Sequence, residues 1–260
     1  MILDEMIEER KKTIEILKEK TTIEMLERNI ESSHIKHYSF KKALKNQSKK
    51  LNIIAEVKKA SPSKGLICKD FNYLEIAKAY EKGQAAALSV LTEPKYFKGK
   101  NEYLTAIKEI VHLPILRKDF IIDPFQIYEA KAIGADAILL IVAALSSNQL
   151  KAYLKLAKSL ELDVLVETHD EKEVAIALEA EAEIIGVNNR DLKTFKVNLE
   201  ISERLRKHIP KDKVFVAESG VHTLEDIRRL KELPVNAVLI GESVVKVADP
   251  VSKLQEFINA

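Results

Sequence analysis

The chain has a single cysteine, Cys68, which excludes an internal disulfide and leaves no thiol cluster for a metal. Its six histidines fall in no HExxH or similar ligand spacing, so no structural metal is expected. Charge of one sign is lacking too. Against 42 basic residues stand 40 acidic ones, a net +2, which is no footprint for nucleic acid. No uncharged apolar run approaches the roughly 18–20 residues of a membrane helix. The opening Met1-Ile-Leu-Asp-Glu-Met-Ile-Glu-Glu-Arg10 is charged throughout and has no signal-peptide core. A soluble protein of a reducing compartment, the cytoplasm, is expected.

What is present is 260 residues with 46% hydrophobic content, enough to bury a full core. Residues 1–50 carry helical stripes and no strand signal. Leu3, Met6, Ile7, Arg10, Ile14 and Leu17 share one face of a first helix, Thr21 or Thr22 can cap a second, and a third is expected near Ser39 to Lys45. This region reads as a helical extension packed on a main body, residues 51–260.

From residue 51 apolar strand patterns alternate with amphipathic helical ones. Strands are expected at 51–57, 86–91, 114–118, 136–142, 163–167, 183–187, 213–217 and 236–240, each followed by a helix. Asp123-Pro124 and Asp249-Pro250 supply an N-cap acid with proline at the first helical position. Pro114, Pro210 and Pro234 precede strands, and Gly83 and Gly134 fit helix ends. Eight such units predict an α/β fold, a (β/α)8 TIM barrel with an N-terminal helical extension. An open doubly wound sheet is the alternative, weakened by the lack of GxGxxG after the first strand.

A barrel places chemistry at the C-terminal ends of its strands. Glu56 and Lys58 end the first strand on one face, since residues two apart in a strand point the same way. Ser89, Lys118 and Glu167 end the second, third and fifth. Asn188 and Arg190 follow the sixth, Glu218 and Ser219 the seventh, and Gly241 the eighth. Any one of these alone marks only where solvent begins. Interior-facing charges of mixed sign, converging on one end, cost several kcal/mol if left unpaired, about what a buried polar group costs. Their convergence reads as a site. Gly220 and Gly241, after the last two strands, suit a backbone phosphate nest, or else ordinary turns.

These runs resemble the indole-3-glycerol-phosphate synthase family of tryptophan biosynthesis. The matching stretches are Ile54-Ala-Glu-Val-Lys-Lys-Ala-Ser-Pro-Ser63, Leu88-Ser-Val-Leu-Thr-Glu93, Pro114-Ile-Leu-Arg-Lys-Asp-Phe120, Leu139-Leu-Ile-Val-Ala-Ala-Leu145, Leu165-Val-Glu-Thr-His169, Gly186-Val-Asn-Asn-Arg-Asp-Leu192, Ala217-Glu-Ser-Gly220 and Leu239-Ile-Gly-Glu-Ser243. They span the barrel in order. Gln84 and Lys100 stand where the family often has small residues.

The resemblance implies a lyase that closes, decarboxylates and dehydrates 1-(2-carboxyphenylamino)-1-deoxyribulose 5-phosphate to indole-3-glycerol phosphate, with no cofactor or metal. It implies a small phosphosugar-anthranilate substrate as partner, no nucleic acid or membrane, and a monomer. Lys118 is the expected acid in ring closure and Glu167 the base in dehydration. Lys58 is expected to bind the substrate carboxylate and serve as second acid, the split between the two lysines staying open. Glu56 orients the lysines, Asn188 gives a neutral hydrogen bond, and Ser219 positions the reacting ring.

Ser61, Arg190, Gly220, Gly241 and Ser243 are expected anion contacts. Glu218 stands with the binding set, and Glu242 must turn its carboxylate away from phosphate. Phe120 and the apolar fourth strand form a wall for the anthranilate ring, although a core role suits Phe120 as well. His169 reads as a residue behind the site or in solvent. Ser61-Pro-Ser-Lys-Gly65 is expected to close over substrate as a mobile loop. The rival readings are an isomerase of the phosphoribosylanthranilate type, which would want a Cys and Asp pair at strand ends, and a non-catalytic barrel scaffold, which would have lost the strand-end charges.

Overall fold

The computed structural model describes residues 2–45, 51–191 and 194–260. Eight strands form one closed, all-parallel barrel: β1 (Asn52–Val57), β2 (Ala87–Leu91), β3 (Ile115–Lys118), β4 (Ala137–Ile141), β5 (Asp163–Thr168), β6 (Ile184–Asn188), β7 (Val214–Glu218) and β8 (Ala237–Ile240). β1 pairs with both β2 and β8, so the sheet has no edge. Closure is what the local patterns left open between barrel and open sheet.

Alternation along each strand divides the core in two. Ile54, Ala87, Leu116, Leu139, Leu165, Ile184, Val216 and Leu239 fill the barrel interior. Their neighbours Ile53, Ala55, Leu88, Val90, Leu140, Val166, Val187, Phe215 and Ile240 face outward under the helices. Both faces are buried, so the strands read as near-continuous apolar runs rather than alternating ones.

Three helices precede the barrel, α1 (Ile2–Lys20), α2 (Ile23–Ser32) and α3 (Phe40–Lys45). Thr22 caps α2 by accepting from the Met25 N–H. Leu3 and Met6 of α1 join the interior cluster near Phe120, while Phe40 and Leu44 of α3 join it from the opposite end. There α3 is tied to strand beginnings: the Lys41 N–H donates to Asp163, and Asn52 donates to the Leu44 carbonyl. α1 therefore lies over the mouth and α3 under the floor. The expected boundary at residue 50 abuts residues 46–50, outside the described residues.

The outer helices are α4 (Tyr73–Lys82), α5 (Asn101–Lys108), α6 (Pro124–Ala132), α7 (Ser147–Ser159), α8 (Glu171–Glu179), α9 (Glu200–Arg206), α10 (Leu224–Glu232), a short α11 (Glu242–Val245) and α12 (Pro250–Asn259). Asp123 and Asp249 cap α6 and α12 as expected, accepting from Phe125 and Ser252. Gly83 does not take the left-handed conformation that ends a helix; Gln84 does, at φ 67°. A Cβ on Gly83 would lie 2.9 Å from Leu254, so packing of α12 is what needs the glycine. Two elements have no sequence signal of their own, α11 and a small hairpin pairing Ala60–Ser61 with Gly65–Leu66. No helix among the described residues is long and apolar enough to cross a membrane.

Candidate active site

Register carries the polar residues to one level at the C-terminal end. Glu56 lies opposite Ser89, Glu167 opposite Ile141, and Asn188 opposite Glu218. Lys118, the last residue of β3, reaches across the barrel. Its Nζ lies 2.7 Å from Glu218 Oε2 and 3.2 Å from Glu167 Oε2. Glu56, near the end of β1, and Lys58, just beyond it, contact each other directly.

Burial by itself would lower the Lys118 pKa; Glu218 and Glu167 outweigh it and hold the ammonium charged. The two carboxylates are unequal. Burial disfavours an ionised Glu167, but Lys118 and His169 outweigh that, and Asn188 Nδ2 donates to Oε1 at 3.2 Å. Glu218 is pushed up by burial and by the like charge of Glu167 against the pull of Lys118. Its Oε1 has no hydrogen-bond partner. The two carboxylates are thus pushed apart: Glu167 toward the ionised form and Glu218 toward the protonated one.

Two glycines make room for this arrangement. A Cβ at Gly186 on β6 would meet Glu218 Oε1 at 2.2 Å, and one at Gly241 would meet Glu56 Oε1 at 2.7 Å. Gly241 is thus required by the Glu56–Lys58 pair, a reason distinct from the expected phosphate nest. Ser219 is left-handed at φ 65°, as is Gly220 at 86°, so the chain turns sharply after β7 at the cavity edge.

A cavity at the mouth is lined by Glu56, Lys58, Ser61, Lys118, Phe120, Glu167, Asn188, Arg190, Glu218, Ser219, Gly220, Gly241 and Glu242. Leu139 and Ile141 of β4 add an apolar wall, and the Phe97 ring faces Phe120 at 6.3 Å. The lining thus combines convergent charged and polar side chains with apolar surface, the usual make-up of a small-molecule site.

The chain matches the family model for indole-3-glycerol phosphate synthase over residues 3–257. A protein of that name from Thermoanaerobacter pseudethanolicus is 49% identical over 259 residues, covering 100% of this chain and 98% of its own length. Another, from Endomicrobium trichonymphae, is 51% identical over 257 residues, covering 98% and 99%. The chain belongs to the indole-3-glycerol phosphate synthase family. Similarity extends more distantly to the solved structure of 3-hexulose-6-phosphate synthase from Salmonella typhimurium. There the TM-score is 0.67 at 15% identity over 80% of this chain and 97% of that one, a likeness of fold alone.

Of the fourteen residues singled out for this synthase site, thirteen line the cavity. Ser243 does not: its hydroxyl donates to the Val221 carbonyl at 2.9 Å, bracing α11 against the loop after β7. Glu242 turns its carboxylate to Lys64 and Lys246, each at 2.7 Å. Arg190 is braced by donating to the Phe195 carbonyl at 3.2 Å, and its backbone N–H donates to Asn188 at 3.0 Å.

Sequence reasoning passed over several groups. Leu3 and Met6 line the cavity from α1, and Glu93, Phe97, Phe195 and His222 from loops. Arg10 is buried and pairs with Asp119 at 2.7 Å, fixing α1 to the end of β3. A lone arginine on an apolar helical stripe was the available signal. Arg117, fully buried on the outward face of β3, contacts Glu129 and Asp119 and donates to the Gln126 carbonyl. Nothing in the strand pattern distinguished it from a solvent-facing charge.

Proposed function

We propose that the mouth of this barrel makes indole-3-glycerol phosphate from 1-(2-carboxyphenylamino)-1-deoxyribulose 5-phosphate, with the catalytic work divided among Lys118, Lys58 and Glu167. The observation that carries the reading is Lys118 held charged between Glu167 and Glu218, facing the Glu56–Lys58 pair.

Ring closure joins the aromatic carbon bearing the carboxylate to the ketone carbon. As that bond forms, the carbonyl oxygen gains charge, and Lys118 delivers a proton to it, leaving a hydroxyl. Loss of carbon dioxide returns the bonding electrons to the ring and restores aromaticity. Lys58, kept oriented by Glu56, binds the carboxylate beforehand. In dehydration Glu167 removes a proton while Lys58 protonates the departing hydroxide to water. Asn188 fixes the Glu167 carboxylate, and Glu218 accepts a hydrogen bond from Lys118 that keeps it aimed. Phe120, Leu139 and Ile141 hold the anthranilate ring.

Phosphate is assigned to the loops after β7 and β8, near Gly220, Gly241 and the Ser243 backbone, with Ser61 and Arg190 as further donors. The hairpin over Ser61–Gly65 acts as the lid, and the enzyme is read as a cytoplasmic monomer with α1 and α3 serving as its mouth and floor covers.

Purified protein incubated with the substrate, without added metal, is expected to generate indole fluorescence. Lys118→Ala should lose most of it, and near-normal turnover in that variant would remove Lys118 as the acid. Failure of the wild-type gene to rescue a tryptophan auxotroph blocked at this step overturns the whole reading.

A further inference from the structure

His169 follows β5 immediately after Glu167-Thr168 and sits between two carboxylates. Its Nε2 is 3.3 Å from Glu167 Oε1, and its Nδ1 is 3.0 Å from Glu173 Oε2. The Glu173 carboxylate also accepts the His169 backbone N–H at 2.8 Å. Glu173 is in the first turn of α8, capped by Asp170, whose side chain accepts from the Glu173 N–H. The imidazole is therefore held from a helix end and pushed against the back of Glu167. His169 does not line the cavity, and the mechanism above makes no use of it.

A neutral imidazole has one N–H and one lone pair, so one of its nitrogens would point a lone pair at a carboxylate. Nε2 makes no hydrogen bond to Glu167, so the link across this 3.3 Å gap is one of charge, and only the imidazolium attracts both carboxylates. We propose that His169 is a positioning residue for Glu167: its imidazolium, clamped by Glu173, keeps the Glu167 carboxylate ionised and fixes the rotamer that presents Oε2 to Lys118. The inference rests on the function proposed above, with Glu167 as the base.

The charge balance of the mouth argues the same way. Lys118 is the cation shared by Glu167 and Glu218, while Glu56 is paired with Lys58. One cation between two buried carboxylates leaves a net negative charge, relieved by protonating a carboxylate. The positive charge of His169 falls on the Glu167 side only, so the proton is directed to Glu218 and away from the base. Burial would by itself neutralise the imidazole, but Glu167 and Glu173 outweigh it and raise its pKa to about 10. Those two carboxylates are the charged groups against the ring; Asn188, on the neighbouring strand, is neutral.

The test combines pH–rate profiles of wild type, His169→Asn and Glu173→Gln with nitrogen NMR of the His169 ring. The acidic limb of kcat is expected to move to higher pH by about one unit in His169→Asn, tenfold in activity below the limb, and by less in Glu173→Gln. Activity should recover toward wild type as pH rises. In the wild-type protein the ring should remain doubly protonated through pH 8. A uniform loss of activity with the limb unmoved makes His169 merely structural and overturns the proposal, as does a ring that titrates near 6.5. Should His169→Asn fail to fold, an unmoved limb in Glu173→Gln has the same consequence. A wild-type protein that makes no indole product fails the functional reading instead, while the NMR still reports the state of the ring.

Discussion

Gly186 on β6 leaves open the space that the Glu218 carboxylate of β7 occupies: a Cβ there would sit 2.2 Å from Glu218 Oε1. The two strands pair in register at Gly186 and Val216, so the glycine stands two residues short of the carboxylate's own level. Gly186→Ala is expected to push Glu218 off Lys118. Misplacing a group by about 1 Å can cost about 100-fold in rate, so kcat should fall by that order while the fold persists. Steady-state kinetics beside circular dichroism check this; wild-type turnover would mean that Glu218 moves without consequence.

Lys118→Met tests the electrostatics in the absence of catalysis. It leaves Glu167 and Glu218 buried without their shared cation, a loss of about 3–5 kcal/mol when one partner of a buried pair is removed. Glu218, left with no cation against it, then has a folded pKa above the unfolded value of about 4.3. Such groups contribute stability at low pH that is lost as pH rises through the folded pKa. The variant's urea midpoint should accordingly be higher at pH 5.5 than at pH 8. Equal midpoints would show that the pair relaxes into solvent.

Arg10→Ala cuts the tie between α1 and β3. Asp119 keeps Thr92 and Arg117 as partners, so the loss of stability should stay at or below about 3 kcal/mol, the low end for a broken buried pair. Leu3 and Met6 line the cavity from the same helix, so KM should rise more than kcat falls. Hydrogen exchange in α1 should quicken, and Arg10→Lys should restore part of both. A variant with unchanged KM would separate α1 from substrate binding.

Lys64 and Lys246 outweigh the burial of Glu242 and hold its pKa down to about 2. A depressed carboxylate contributes stability above its unfolded pKa of about 4.3, lost as pH falls toward 2. Lys64 is half-exposed, so Lys64→Ala should change global stability by less than about 1 kcal/mol. The effect should be local. Limited proteolysis within Ser61–Gly65 is expected to accelerate in the variant, and an equal cleavage rate would show that the contact does not restrain the hairpin.

Much of the fold was legible because its causes are local. Strand and helix periods, Asp123-Pro124 and Asp249-Pro250, and the charges ending the strands all lie within a few residues of what they determine. The same locality marked Glu56, Lys58, Lys118 and Glu167. Gly83 shows the limit: it reads as a helix terminator, yet the close approach of Leu254, 171 positions away, is what excludes a side chain there. Ser243 shows it again, since a hydroxyl beside a glycine turn looks like an anion donor until Val221 accepts it.

Eight βα units, the helices before them, and the residues that stand at strand ends follow from local patterns along the chain. Tertiary structure decided what those residues are worth. Lys118 and Glu218 are 100 positions apart, and only barrel closure brings them within 2.7 Å. Which carboxylate stays ionised depends on burial and on the charges converging there from β3, β5 and β7. These electrostatic energies depend on distances through space, and no spacing along the chain encodes them.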